Sequence, residues 1–250
     1  MTNTGNSLRR RYGGHTPEWY DERTDYMSGF LTGERVQTLR RTLAMVGDPG
    51  GSPAPPGDLI GPVRHNVHPQ NASALVRHCE AFGVQDLHTV ETMCRFDPSV
   101  NIVRGTDKWI DIIRHDSTEE AIASLKASGY RIVATTPHRE SCTPETFDVE
   151  KGRFCLVFGT EHAGVSPQII SAADEFLRIP MCGMVESLNV SASAAILIYM
   201  LSQRMRLSDV AWRLSEAECS EVMFRWVMSS VRDARRILER RFGAESGHVK

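Results

Sequence analysis

The sequence predicts an α/β fold, a parallel sheet flanked by helices with helical amino- and carboxyl-terminal extensions, on three observations. Short apolar runs alternate with helically periodic segments from about residue 58 onward, a Gly/Pro tract precedes them, and amphipathic patterns occupy both flanks. At 250 residues and 41% hydrophobic content, the chain holds enough apolar material for one sizeable core with appended segments. The expected division is residues 1–57 as arm, amphipathic helix and linker, 58–206 as the main domain, and 207–250 as a helical extension.

Residues 1–33 are polar with isolated aromatics (Trp19, Tyr20, Tyr26, Phe30) and read as an irregular or partly helical arm. Val36, Leu39 and Leu43 then recur at helical spacing with Arg35, Arg40 and Arg41 mostly opposite, which predicts a helix from Glu34 to about Met45. The tract from Gly47 to Gly57 interrupts helix and strand alike, because glycine and proline punctuate both. Beyond it, strands are predicted at Leu59–Val67, Leu87–Val90, Ile110–Ile113, Tyr130–Thr135, Cys155–Phe158 and Phe176–Ile179. Helices are predicted between them at Ala72–Phe82, Thr118–Ala127 and Pro167–Ala172. A further helix from about Val190 to Met205 is apolar nearly all round, which requires burial. Glu216–Phe242 reads as one amphipathic helix docked on the domain, its Arg225, Arg232, Arg235 and Arg236 off the apolar stripe and open to solvent or RNA.

Net charge is −2, but its distribution is uneven. Residues 61–202 carry 12 basic and 17 acidic side chains, whereas residues 203–250 carry 10 and 7, making the carboxyl-terminal end basic. Of 29 basic residues 25 are Arg, the type that pairs bidentately with phosphate. The six cysteines include no CxxC pair, so neither a disulfide framework nor a zinc site is expected, and the thiols read as reduced and mostly buried. No apolar run approaches the roughly 20 residues that span a bilayer, and the start lacks a signal-peptide pattern, so a cytoplasmic protein is expected.

Three stretches lie at strand carboxyl ends, where open α/β sheets place their ligands. The first runs from His68 to Arg77, with Asn71 as an expected helix cap; Arg77, about 200° around the helix from Leu75, projects away from the core. In the second, Phe158-Gly159-Thr160-Glu161 through Gly164, a buried strand ends at a glycine and a polar loop follows, with no Gly-Lys-Ser/Thr of a P-loop. The third, Ile179-Pro180-Met181 through Ser187-Leu188-Asn189-Val190-Ser191, places Ser187 and Asn189 at the mouth of the apolar helix. No Ser–His–Asp order and no metal-ligand spacing is present, and His65 with His68 lacks a third partner.

In this order the three stretches resemble the motifs of the knotted SPOUT-class RNA methyltransferases, most closely the tRNA (guanosine-2′-O)-methyltransferase family, over roughly residues 34–206. Lys108-Trp109, the run Gln203-Arg204-Met205-Arg206 and the helix around Arg35–Arg41 also look like the tRNA branch. The resemblance implies a carboxyl-terminal trefoil knot, a homodimer, S-adenosylmethionine as cofactor and an RNA substrate, without metal. It places Thr135, Gly159, Ile179, Met181 and Leu188 at the adenosine part of the cofactor. Arg77 takes the position of the family's proposed catalytic arginine, with Asn71, Glu161, Ser187 and Asn189 in support. Arg35, Arg40, Arg41, Arg204 and Arg206 would grip the RNA backbone.

An Arg pKa above about 12 conflicts with a general base, so Arg77 is read as stabilising the developing alkoxide and the adjacent phosphate. Gln70, Met200 and Glu186 stand where the family commonly has His, Glu and Gln. Two alternatives stay open: the same chemistry on ribosomal RNA, and a non-catalytic RNA-binding factor with this fold. A dinucleotide-binding module is disfavoured because no GxGxxG follows the first strand.

Overall fold

A computed structural model describes residues 12–46, 58–61, 69–90, 105–137, 141–159 and 164–243. The Gly/Pro tract, the end of the first predicted strand, His65, His68, Cys94, Thr160 and Glu161 lie outside the described residues. The chain forms two compact units, one from residues 54–212 and one from residues 1–53 together with 213–250.

The larger unit is built on a six-stranded sheet in which every pairing is parallel. Its strands are β1 (Asp58–Gly61), β2 (Asp86–Val90), β3 (Asp111–His115), β4 (Arg131–Thr135), β5 (Phe154–Val157) and β6 (Glu175–Leu177), in the spatial order β3-β2-β1-β5-β4-β6. After β3 the chain crosses to the far side of β1, so β1 and β5 are neighbours at the point where the order reverses. Crevices outside strand carboxyl ends at such a reversal are where open sheets bind ligands.

Strand alternation divides the core between the two faces. Phe154, Leu156 and Phe158 point into one cluster together with Val133, while Cys155 and Val157 point into another with Ile132 and Ala134. All of β5 is buried, which explains why it reads as a continuous apolar run rather than an alternating one. The first face is covered by α3 (Pro69–Phe82), through Ala72, Leu75, Val76 and Cys79, and by α6 (Val190–Leu207), through Ala194, Leu197, Ile198 and Leu201. Each Leu, Ile or Val among them contributes roughly 1.5–3 kcal/mol on burial. The second face takes Leu125 of α4 (Thr118–Ala127) and Ile169 of α5 (Pro167–Ala172).

Local caps set several of these boundaries. Ser117 accepts a hydrogen bond from the Glu120 amide at 3.0 Å, and Ser166, followed by Pro167 at the first helical position, accepts one from Ile169 at 3.3 Å. Asn71, expected as a cap, lies inside α3, because the helix already begins at Pro69, whose fixed φ suits a first turn. Nor is α6 buried all round: Tyr199 is 52% exposed, Ala192 is exposed, and Leu207 ends the helix at 88% exposure.

The smaller unit is helical, with α1 (Pro17–Ser28), α2 (Gly33–Val46), α7 (Glu216–Ser230) and α8 (Ala234–Phe242). The described part of the arm is thus helical over Pro17–Ser28, in line with the partly helical reading. Thr16 caps α1, and Tyr20 and Met27 bury one turn-spaced face against α7, where Phe224 is fully enclosed. Arg23 lies 4.0 Å over the Trp19 ring and 4.5 Å over Phe242, a packing that keeps a charged group favourable at low exposure. The single terminal helix expected from periodicity is two, broken at Val231–Asp233, where Asp233 takes a positive φ of 56°. Arg225, expected on the solvent face, is only 4% exposed, because α1, α2 and α8 all pack on α7, and Glu221 stands 3.6 Å away.

Of the described cysteines, Cys79 and Cys155 are buried, Cys142 and Cys219 half-buried and Cys182 exposed, so burial is less general than expected. No helix among the described residues is long and apolar enough to cross a membrane.

Candidate active site

A cavity of about 330 Å³ opens at the carboxyl ends of β4, β5 and β6. Thr135, the last residue of β4, turns its hydroxyl to donate to the Val157 carbonyl at 2.9 Å, and the Thr136 amide donates to the Leu177 carbonyl at 3.1 Å. These bonds hold three strand ends in register around the opening. Gly159 lies two residues past the end of β5, and a Cβ there would meet the Gly164 carbonyl carbon at 2.1 Å and the Val165 nitrogen at 2.3 Å. Backbone therefore packs on backbone at the cavity floor, and only glycine fits. Gly164 itself sits at φ 63°.

Thr135, Gly159, Ile179, Met181 and Leu188 all line this one cavity, with Ser187 among them. Its walls are small or apolar apart from a few polar groups, the character of a pocket that takes a largely apolar ring and fixes it by a few contacts. That lining fits an adenosine. Sequence reasoning missed Arg178, Ser193 and Leu197, which also line it. The last two follow Asn189 by four and eight positions, one face of α6, a signal that helical spacing contained.

Asn189 caps α6: its Oδ1 accepts from the Ser191 amide at 2.9 Å, the Ser191 hydroxyl at 2.7 Å and the Ala192 amide at 3.3 Å. Its Nδ2 donates to Asn71 Oδ1 at 3.1 Å, tying the first motif to the third. Arg77, further along α3, is exposed and is not among the residues lining the cavity. Around it, burial lowers the pKa of His78, with the Arg77 charge adding to the effect, while burial raises that of Glu80 against the pull of the same guanidinium.

The arginines expected to hold RNA divide. Arg35, Arg40 and Arg41 are exposed on α2, Arg40 within 3.9 Å of an Asp25 oxygen. Arg204 and Arg206 each tie backbone in place. Arg204 Nη1 donates to the carbonyls of Pro144 and Phe147, both at 2.6 Å, and Arg206 Nη2 donates to that of Phe82 at 2.9 Å. These bonds hold loops and helix ends together. Among the described residues no group of His, Cys, Asp and Glu has the grouping of a metal site.

The parallel sheet with a glycine-floored cavity at its carboxyl edge, rimmed by a capped Ser-Leu-Asn turn, is shared with a class of RNA-modifying methylases. The model of the SpoU rRNA Methylase family matches residues 63–199, and the chain belongs to that family. A tRNA (guanosine(18)-2′-O)-methyltransferase of Borreliella burgdorferi is 34% identical over 164 residues, covering 66% of this chain and 75% of the relative. The enzyme of the same name from Aquifex aeolicus is 34% identical over 178 residues, covering 70% and 83%. Among solved structures, the A. aeolicus TrmH/SpoU tRNA modifying enzyme aligns with a TM-score of 0.65 at 29% identity, covering 78% of this chain and 98% of that one. An AdoMet-bound rRNA methyltransferase from Sinorhizobium meliloti aligns with a TM-score of 0.54 at 28% identity, covering 65% and 61%.

Proposed function

We propose that this protein transfers a methyl group from S-adenosylmethionine to the 2′-oxygen of a guanosine ribose in tRNA. The observation that carries this reading is the convergence of Thr135, Gly159, Ile179, Met181 and Leu188, from separate parts of the chain, on one cavity of adenosine character. Relatives named as acting on guanosine 18 of tRNA support that nucleotide as the target.

Bound in the cavity, S-adenosylmethionine supplies an activated methyl group. The protein's part is chiefly positioning, since an in-line displacement, in which the oxygen–methyl bond forms as the sulfur–methyl bond breaks, gains most from holding nucleophile and donor in line. Arg77 stabilises the alkoxide that develops at the 2′-oxygen and the neighbouring phosphate. Ser187 and the linked Asn71 and Asn189 fix the rim, and Glu161 serves as a further polar group of the second motif.

Because Arg77 stands outside the cavity of its own chain, we place it at the cavity of a second copy in a homodimer. The exposed face of α6 around Tyr199 and Ala192 supports such a pairing. A carboxyl-terminal trefoil knot is part of the same reading, supported by the family resemblance of the three motifs. Exposed arginines of α2 contact the RNA backbone.

The test is incubation with labelled methyl donor and bulk tRNA or, separately, ribosomal RNA, followed by nuclease mapping. Label at a guanosine 2′-oxygen of tRNA is expected. Label confined to ribosomal RNA, or none with no binding of the donor, would replace this reading by one of its two alternatives.

A further inference from the structure

We propose that Arg178 and Glu186 hold the amino-acid end of the methyl donor, Arg178 at its carboxylate and Glu186 at its ammonium. The proposal rests on the cavity being the donor site. A second cavity of about 340 Å³ adjoins the first, and the two share Pro137, Arg178, Ile179, Met181 and Glu186. Among the described residues lining either one, Arg178 and Glu186 are the charged side chains, one of each sign.

Their placement is set by the fold. The Arg178 amide donates to the Cys142 carbonyl at 2.9 Å, and the adjoining Leu177 bridges to Cys142, so Arg178 leaves the end of β6 on an anchored backbone. Glu186 comes from the loop that ends in the Asn189 cap of α6. Both side chains are exposed, and no ion pair joins them among the described contacts. Opposite charges on one wall, not paired with each other, suit a ligand that carries both signs itself.

The adenosine part is neutral and has no use for such a pair. The methionine part ends in an ammonium and a carboxylate on one carbon, the zwitterion that one guanidinium and one carboxylate complement. A guanidinium meets a carboxylate with two parallel donors, and a carboxylate accepts from an ammonium in a charge-assisted bond. The shared wall puts these charges where a ligand seated in the first cavity would extend into the second.

Calorimetric titration of the full chain tests this with three ligands: S-adenosylhomocysteine, decarboxylated S-adenosylmethionine and 5′-methylthioadenosine, which lacks the amino-acid end. Arg178→Ala and Glu186→Gln should each weaken S-adenosylhomocysteine about tenfold, a typical loss for one charged hydrogen bond. Both should bind 5′-methylthioadenosine as the wild type does, which also shows that the variants are folded. Decarboxylated S-adenosylmethionine should respond to Glu186→Gln and not to Arg178→Ala. Equal weakening of all three ligands, or unchanged binding of S-adenosylhomocysteine, as would follow if Glu186 reads the RNA base instead, overturns the proposal. Failure of the wild type to bind 5′-methylthioadenosine and S-adenosylhomocysteine alike overturns the donor-site reading and the proposal with it.

Discussion

Asn189 donates from Nδ2 to Asn71 Oδ1 across 3.1 Å, joining two motifs that lie 118 residues apart in the chain. The same Asn189 caps α6 through its Oδ1, so one side chain both starts a helix and fixes that helix to α3. Asn189→Ala should cost about 1 kcal/mol of stability in urea unfolding, the typical value of a lost cap. Asn189→Asp keeps the cap acceptor and removes the donor facing Asn71, and should retain most of that stability. A double-mutant cycle with Asn71→Ala isolates the bond, and a coupling of zero would show it contributes nothing.

Gly159 and Gly164 separate two kinds of glycine requirement. A Cβ at 159 collides with backbone at 2.1 Å, whereas a Cβ at 164 meets nothing within 4 Å and only the positive φ resists it. Gly159→Ala should therefore destabilise by about 3 kcal/mol and abolish binding of S-adenosylhomocysteine, because the cavity floor must move. Gly164→Ala should cost about 1–2 kcal/mol, the strain of a left-handed residue. Equal effects of the two in thermal melts and titrations would contradict the contact geometry.

For Arg77, the electrostatic role predicts that Arg77→Lys retains measurable methyl transfer while Arg77→Ala loses about 100- to 1,000-fold, the scale of a removed oxyanion donor. Binding of S-adenosylhomocysteine should change far less than the rate in both, since the charge that Arg77 stabilises develops on the RNA oxygen and not on the donor. Equal loss of rate in both variants would argue against a charge role.

His115 and His88 stack as a buried pair with Nε2 and Nδ1 2.9 Å apart. Burial lowers the His115 pKa first, the His88 charge second, and Glu120 opposes both. With the folded value below the ordinary 6.5, the unfolded chain takes up the proton more readily. The contribution to stability is thus complete above pH 6.5 and is lost as pH falls from there towards the lowered folded value. Thermal melts at pH 7.5 and about pH 5.5 should show a drop that is smaller in His115→Gln. An identical drop in the variant would remove His115 as its source.

Arg204 and the α2 arginines should behave oppositely. Arg204→Ala leaves two carbonyls without their donor and should lower stability by about 1–3 kcal/mol, with tRNA affinity nearly intact. Replacing Arg35, Arg40 and Arg41 should leave the fold stable, weaken tRNA binding and flatten its dependence on salt. Filter binding across a salt series distinguishes them.

Local chemistry made much of the fold legible from residues alone. Thr118–Ala127 and Pro167–Ala172 were bounded correctly because Ser117, Ser166 and Pro167 act on backbone groups within one turn. Strand β5 was legible because burial on both faces demands an unbroken apolar run. The five adenosine positions came from a resemblance of motifs, and the structure brings them to a single cavity.

What only the tertiary structure decided depends on neighbours distant in sequence. The commitment of Arg204 to the carbonyls of Pro144 and Phe147, the burial of Arg225, and the packing of Tyr20 against Phe224 leave no local pattern. Nor does the appearance of Arg178 and Glu186 on one wall. Caps and periodicity act over a turn or two of chain, so the sequence displays them directly; a guanidinium's partner is fixed only when folding brings remote backbone within about 3 Å of it.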